Sequence, residues 1–139
     1  MPADTVYLLL ADAVLVTHLT IVAFVVLGLV LVVAGNVAHW RWVNRLWLRL
    51  AHLGAIAVVI LEAWAGFTCP LTTLEMWLRL KAHAPAYAGG FVEHWLQELL
   101  YYEAPAWVFV LGYTLFGVLV LATWWRWPPM SLRPRERSR

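Results

Sequence analysis

The chain has 139 residues, of which 63% are hydrophobic and 13% charged, and its mean hydropathy is +0.74. A soluble domain is about half apolar and about a quarter charged, so this composition excludes an ordinary soluble domain and, with so apolar a makeup, a disordered chain. The formal charge of +2 gives little support to nucleic-acid binding, and the single cysteine excludes an internal disulfide framework and any CxxC metal or redox pair. What remains is an integral membrane protein of one domain's size. Ten tryptophans suit it, because indole rings favour the headgroup belts.

The first apolar run, Val6 to Val33, is broken only by Asp12, Thr17, His18 and Thr20. At 1.5 Å per residue it makes about 42 Å of helix, so it must tilt in, or protrude from, a hydrocarbon layer of roughly 30 Å. A cleaved signal peptide does not fit: the start Met-Pro-Ala-Asp-Thr has no basic segment and the apolar run is too long. A second run covers Leu46 to Trp64 and a third Pro105 to Trp127, where Pro105 suits a first helical turn. Trp47 and Trp64 stand 17 residues apart, as do Trp107 and Trp124. Each spacing is about 25 Å of helix, enough to put one indole in each belt.

Arginine fixes the expected direction. Arg41, Arg45 and Arg49 lie between the first two runs, and Arg126, Arg133, Arg135, Arg137 and Arg139 follow the third. Both segments are expected in the cytoplasm, with the N-terminus and residues 65–104 outside. That outer stretch opens with Thr72-Thr73-Leu74-Glu75, which reads as a capping box, and Glu75 and Arg79 follow at i,i+4. Leu74, Trp77 and Leu78 face one way, so this short helix is expected on the membrane surface. After Gly89-Gly90 a second amphipathic helix runs from Phe91 to Tyr102. The expected fold is an all-α integral membrane protein: one domain, 1–127, with three transmembrane helices (about 6–33, 46–64 and 105–127). Two short amphipathic helices form an outer, periplasmic cap (about 65–104), and 128–139 is a basic, disordered cytoplasmic tail.

Several strings carry a family likeness. They are Ala11-Asp12-Ala13-Val14 leading to His18, Phe24-Val25-Val26-Leu27-Gly28, Ala51-His52 with Glu62, and Cys69-Pro70-Leu71-Thr72 with Glu75. Leu78-Arg79, Tyr87-Ala88-Gly89-Gly90-Phe91 with Glu93-His94, and Leu99-Leu100-Tyr101-Tyr102 complete them. From about Asp4 to past Trp107 the chain resembles the bacterial membrane proteins grouped as domain of unknown function 2784. The resemblance implies this architecture and a bacterial inner membrane; no established activity comes with it.

An ionisable group in hydrocarbon costs roughly 3 kcal/mol or more, so polar side chains on the spans are the first functional candidates. Asp12, His18, Glu62 and Cys69 are expected to converge under the outer helices, with His18 and Glu62 facing each other inside the bundle. That convergence reads either as a partly wet site or as mutual satisfaction pinning the cap down. Thr72, Glu75 and Arg79 are the expected structural elements of the cap. His18 and His52 raise haem b as a cofactor, although their depths differ by about 10 Å where axial ligands should be level. His52 shares a face with Arg45 and Arg49, which suits a lipid headgroup or a haem propionate equally. His94 and Glu98, at i,i+4, begin a metal site that lacks a third ligand in the sequence. Cys69 beside His18 or His94 is a nucleophile only as a thiolate. No phosphate-binding loop, serine elbow or zincin motif occurs, and no catalytic residue is assigned.

Two functions of different class fit. One is a non-enzymatic accessory or assembly subunit, or a lipid-contact module, whose partners are the bilayer and a larger membrane complex or a second copy. The other is a haem- or quinone-binding redox protein with its site in the outer half of the bundle.

Overall fold

Long runs of Leu, Val and Ala without an interior proline have one way to satisfy their backbone groups away from water, which is the α-helix. The computed structural model describes residues 2–86, 91–100 and 104–130, and among these it contains helices and no strand. They are α1 (Ala3–Val37), α2 (Leu46–Ala65), α3 (Pro70–Lys81), α4 (Phe91–Leu100) and α5 (Ala106–Arg126). A single 3-10 turn, Arg41–Asn44, joins α1 to α2. α1, α2 and α5 are each long and apolar enough to cross a membrane. The Gly89-Gly90 break, the Tyr101-Tyr102 end of the second cap helix and the tail beyond Met130 lie outside the described residues.

α1 is the spine. Its 35 residues make about 52 Å of helix, some 20 Å more than the hydrocarbon layer needs. Its buried positions Ala11, His18, Val25 and Val32 recur every seven residues, the interval at which one helix face returns. The two nearer the N-terminus meet α3 and the other two meet α2 and the 3-10 turn; these ends are called outer and inner after the orientation expected from the arginines.

α3 runs antiparallel along the outer half of α1. Thr72, near its start, meets His18; Arg79 meets Asp12; His83, just past its end, reaches Asp4 at 3.8 Å. The surface-lying helix expected from the sequence therefore stands along α1 instead. The reason is its buried stripe, Thr72, Glu75, Leu78 and Ala82, which is closed against α1. Its 12 residues, about 18 Å, match the excess length of α1.

α2 packs on α5, and Val25 of α1 joins Ile56 and Val120 in the core they share. Gly117 allows the close approach: a Cβ there would lie 2.3 Å from Ile60 Cδ1. Near the outer end Trp64 Nε1 donates to Thr114 Oγ1 at 3.0 Å.

Three helix ends share one device. After α1, the His39 N–H bonds the Asn36 carbonyl and the Trp40 N–H the Gly35 carbonyl; after α3, His83 and Ala84 do the same with Leu80 and Arg79. After α2, Gly66 and Phe67 repeat the pattern on Ala63 and Glu62. These are Schellman ends, which need a left-handed residue: Gly66 takes it freely at φ 74°, whereas His39 and His83 take it at φ 60° and 53°.

Candidate functional site

The polar side chains of the spans gather at two places along α1. At the outer one, Glu75 is wholly buried and accepts from Arg79 Nε at 2.9 Å. Arg79 also reaches Asp12 Oδ1 at 3.4 Å, across to α1. His18 is buried against α3, its Nδ1 3.4 Å from Thr72 Oγ1 and its ring within the field of the Glu75 carboxylate. Two carboxylates, a guanidinium and an imidazole thus tie α3 to α1.

Two expectations change here. The His18–Glu62 pair is replaced: His18 meets Thr72 and Glu75 of α3, while Glu62 of α2 contacts the Cys69 thiol. The expected four-residue cluster is thus divided by its contacts: Asp12 and His18 bond α3 through Arg79 and Thr72, and Glu62 bonds Cys69. The capping box is replaced too. Pro70 has a fixed φ and no N–H, which suits the first helical position, so α3 begins there with Cys69 as its N-cap. Thr72 is then the third residue of the helix. Its hydroxyl turns to His18, and Glu75 turns to Arg79.

Cys69 is half-buried, with its sulfur over the amides of Leu71 and Thr72 but closing no capping bond. Burial pushes its thiol above the ordinary range; the two amides work against that rise, and the Glu62 carboxylate adds to it. A thiol held neutral is a poor nucleophile.

The inner cluster has another chemistry. Asn36 and Asn44 exchange amide hydrogen bonds of 3.3 and 2.7 Å, closing the 3-10 turn back onto α1. Arg49, 1% exposed, donates to Asn44 Oδ1 at 2.9 Å, the Trp127 carbonyl at 3.1 Å and Thr123 Oγ1 at 3.3 Å. Its guanidinium lies 5.4 Å from the Trp124 ring centre, and the Trp124 indole N–H is buried without a partner among the described residues. Every acceptor given to Arg49 is neutral, and no Asp or Glu occurs between Asp12 and Glu62. Arg49 therefore joins α2, α5 and the 3-10 turn, and is not exposed for the headgroup or propionate contact expected of it.

His52 is committed as well. Its Nε2 lies 2.7 Å from the Val25 carbonyl, an acceptor only, so that nitrogen carries the proton and donates. Gly28 makes room for the ring, since a Cβ there would stand 2.6 Å from it, and Phe24 packs edge-on. An iron at this nitrogen would have to displace the Val25 bond. Arg45, the N-cap of α2, is exposed. On α4, His94 packs edge-on against Trp95 and Glu98 is exposed. Among the described residues no group of three His, Cys, Asp or Glu is placed to hold a metal.

Asn36, Asn44 and Thr123 were missed by sequence reasoning. The available signal was two amides eight residues apart at the end of an apolar run.

Two hollows adjoin these clusters. One, of about 380 Å³, lies between α1 and the inner end of α2; Phe24, Leu27, Leu31, Trp42 and Leu48 line it and His52 floors it. The other is an open groove of about 730 Å³ at the α2–α3 corner, bordered by Glu62, Phe67, Pro70, Thr73 and Trp77.

The fold and these clusters define a small all-helical protein with three helices able to span a membrane. The family model described as "Protein of Unknown function (DUF2784)" matches residues 8–129, nearly the whole chain, and the chain belongs to that family. No curated protein and no solved structure matches it.

Proposed function

We propose that the chain is a non-enzymatic lipid-contact and accessory module of a bacterial inner membrane. One observation supports this most. The ionisable groups buried along the three long helices, His18, Arg49 and His52, each bond another element of the same chain, so they hold the bundle's ends rather than line a reaction chamber. The long helices bury only 17% of their most apolar windows within the chain, leaving apolar faces for lipid, a larger membrane complex or a second copy. The outer segment, with Phe67, Trp77 and Leu80 exposed, is the docking surface of this reading.

The visible spectrum of protein purified in detergent tests it. A colourless preparation is expected, and a stoichiometric Soret band, the mark of the haem reading, overturns the proposal.

The orientation is part of the same proposal: N-terminus and α3 outside, 3-10 turn and tail in the cytoplasm. A membrane-impermeant maleimide added to spheroplasts should label Cys69. Because burial raises the thiol's pKa, labelling should be slow at neutral pH and rise as the pH climbs through and beyond the ordinary thiol range. The sign carries to stability: what burial of the neutral thiol contributes is present below that range and lost above it. Labelling of a cysteine introduced within 131–139 from the same side would reverse the topology.

A further inference from the structure

We infer that the hollow between α1 and the inner end of α2 seats one acyl chain of an anionic phospholipid whose phosphate rests on Arg41 and Arg45. This rests on the lipid-contact reading above. The hollow's lining is almost wholly apolar, with Phe24, Leu27 and Leu31 of α1 facing Leu48 of α2. Such a space stays dry, and beside hydrocarbon the matter available to fill it is a lipid chain. Its inner end is bordered by the 3-10 turn, which contributes Trp42 and Val43 to the rim. Arg41 and Arg45 flank those two residues, so both stand where the chain's headgroup would emerge.

Charge selects the headgroup. Arg41 and Arg45 are exposed, and neither guanidinium makes a hydrogen bond or ion pair among the described residues. Arg49, four residues on, is spent inside the bundle. With no carboxylate between Asp12 and Glu62, this end of the molecule holds cations that nothing among the described residues neutralises. Guanidinium groups bind phosphate with paired hydrogen bonds, and two of them favour a headgroup carrying net negative charge over a zwitterion. Trp42, stacked on Trp40 with ring centres 6.1 Å apart, gives the entrance an indole surface suited to the headgroup level.

The test uses the full chain in mild detergent with equal amounts of phosphatidylglycerol and phosphatidylcholine of identical acyl chains, and native mass spectrometry to count retained lipid. One phosphatidylglycerol per chain is expected. Selectivity should fall about fivefold for Arg41→Gln or Arg45→Gln, and about thirtyfold for both together. Ala23→Phe and Leu27→Trp fill the hollow and leave the arginines in place; each should lower retention of both lipids. Equal retention of the two lipids by the wild type, selectivity that survives the double substitution, or full retention in both filled variants would overturn the site. So would displacement by free glycerol phosphate as efficient as by the lipid, which would make the ligand a soluble phosphate. The spectrum of the same sample separates the failures: a colourless protein without selectivity removes this site alone, and a Soret band removes the reading beneath it.

Discussion

At the outer end of α1, Asp12 and Glu75 stand against Arg79 and His18. At the inner end Arg49 stands against an asparagine, a threonine and a backbone carbonyl. Both ends join α1 to its neighbours, yet among the described residues only the outer one contains its own countercharges. A buried guanidinium with neutral acceptors keeps its hydrogen bonds and leaves its charge uncompensated. The outer end is thus electrically closed, while the inner end, with Arg41 and Arg45 exposed beside it, calls for negative charge from its surroundings. The same asymmetry underlies the proposed orientation and the proposed lipid.

Substitutions at the two ends should cost different amounts, and the largest effect should come from the closed end. Glu75→Leu leaves Arg79 and His18 without the carboxylate they share, in a site with no exposure, and should destabilise the protein by about 3–5 kcal/mol. Denaturant titration in micelles measures this. Glu75→Gln should cost less, because the amide oxygen still accepts from Arg79 Nε. A loss below about 1 kcal/mol for Glu75→Leu would show that charge does not hold α3 to α1.

Arg49→Met should cost less than Glu75→Leu, about 2 kcal/mol, because it removes a charge that has no countercharge. Its acceptors are mostly served elsewhere: Asn44 Oδ1 still receives the Asn36 amide, and Thr123 still donates to the Val120 carbonyl. Only the Trp127 carbonyl is deprived. Arg49→Lys should not restore stability, since one ammonium cannot reproduce a fork that spans Asn44, Thr123 and Trp127. Equal losses for Arg49→Met and Glu75→Leu would mean that the inner charge is compensated after all, and the contrast between the ends would fall.

The long apolar runs made three helices legible because span length and hydropathy are properties of one segment. Helix ends were less so: His39 after α1 and His83 after α3, in left-handed positions, give no signal comparable to Gly66. Partner choice was legible only where it is local. Glu75 and Arg79 are four residues apart and meet on one helix face, whereas His18 and Thr72 are 54 apart. Charge complementarity alone favoured Glu62 for His18. What decided otherwise was the start of α3 at Pro70, a shift of register that moved Thr72 from cap to contact and carried Glu75 inward. The inner cluster escaped notice because it is built from neutral groups, which sequence reasoning ranks below charged ones, and because the Trp127 carbonyl carries no side-chain signature.

The smallest effect is expected where the outer cluster meets water. Asp12 is 62% exposed and makes one contact of 3.4 Å with the terminal nitrogen of Arg79, whose Nε stays on Glu75. A pair of this kind contributes about 0.2–1 kcal/mol, so Asp12→Asn should lower stability by less than 1 kcal/mol. Salt separates it from the buried partner. Raising ionic strength from about 0.1 to 1 M shortens the screening length from about 10 to 3 Å, so the difference between wild type and Asp12→Asn should shrink towards zero. The difference for Glu75→Gln should persist, because the bond it weakens is shielded from solvent. Combining the two substitutions should give slightly less than the sum of their effects, since both act through Arg79. If Asp12→Asn instead costs as much as Glu75→Gln and resists salt, Asp12 is desolvated in the bilayer. The outer half of α1 would then be immersed along its whole length instead of standing clear of the hydrocarbon beside α3.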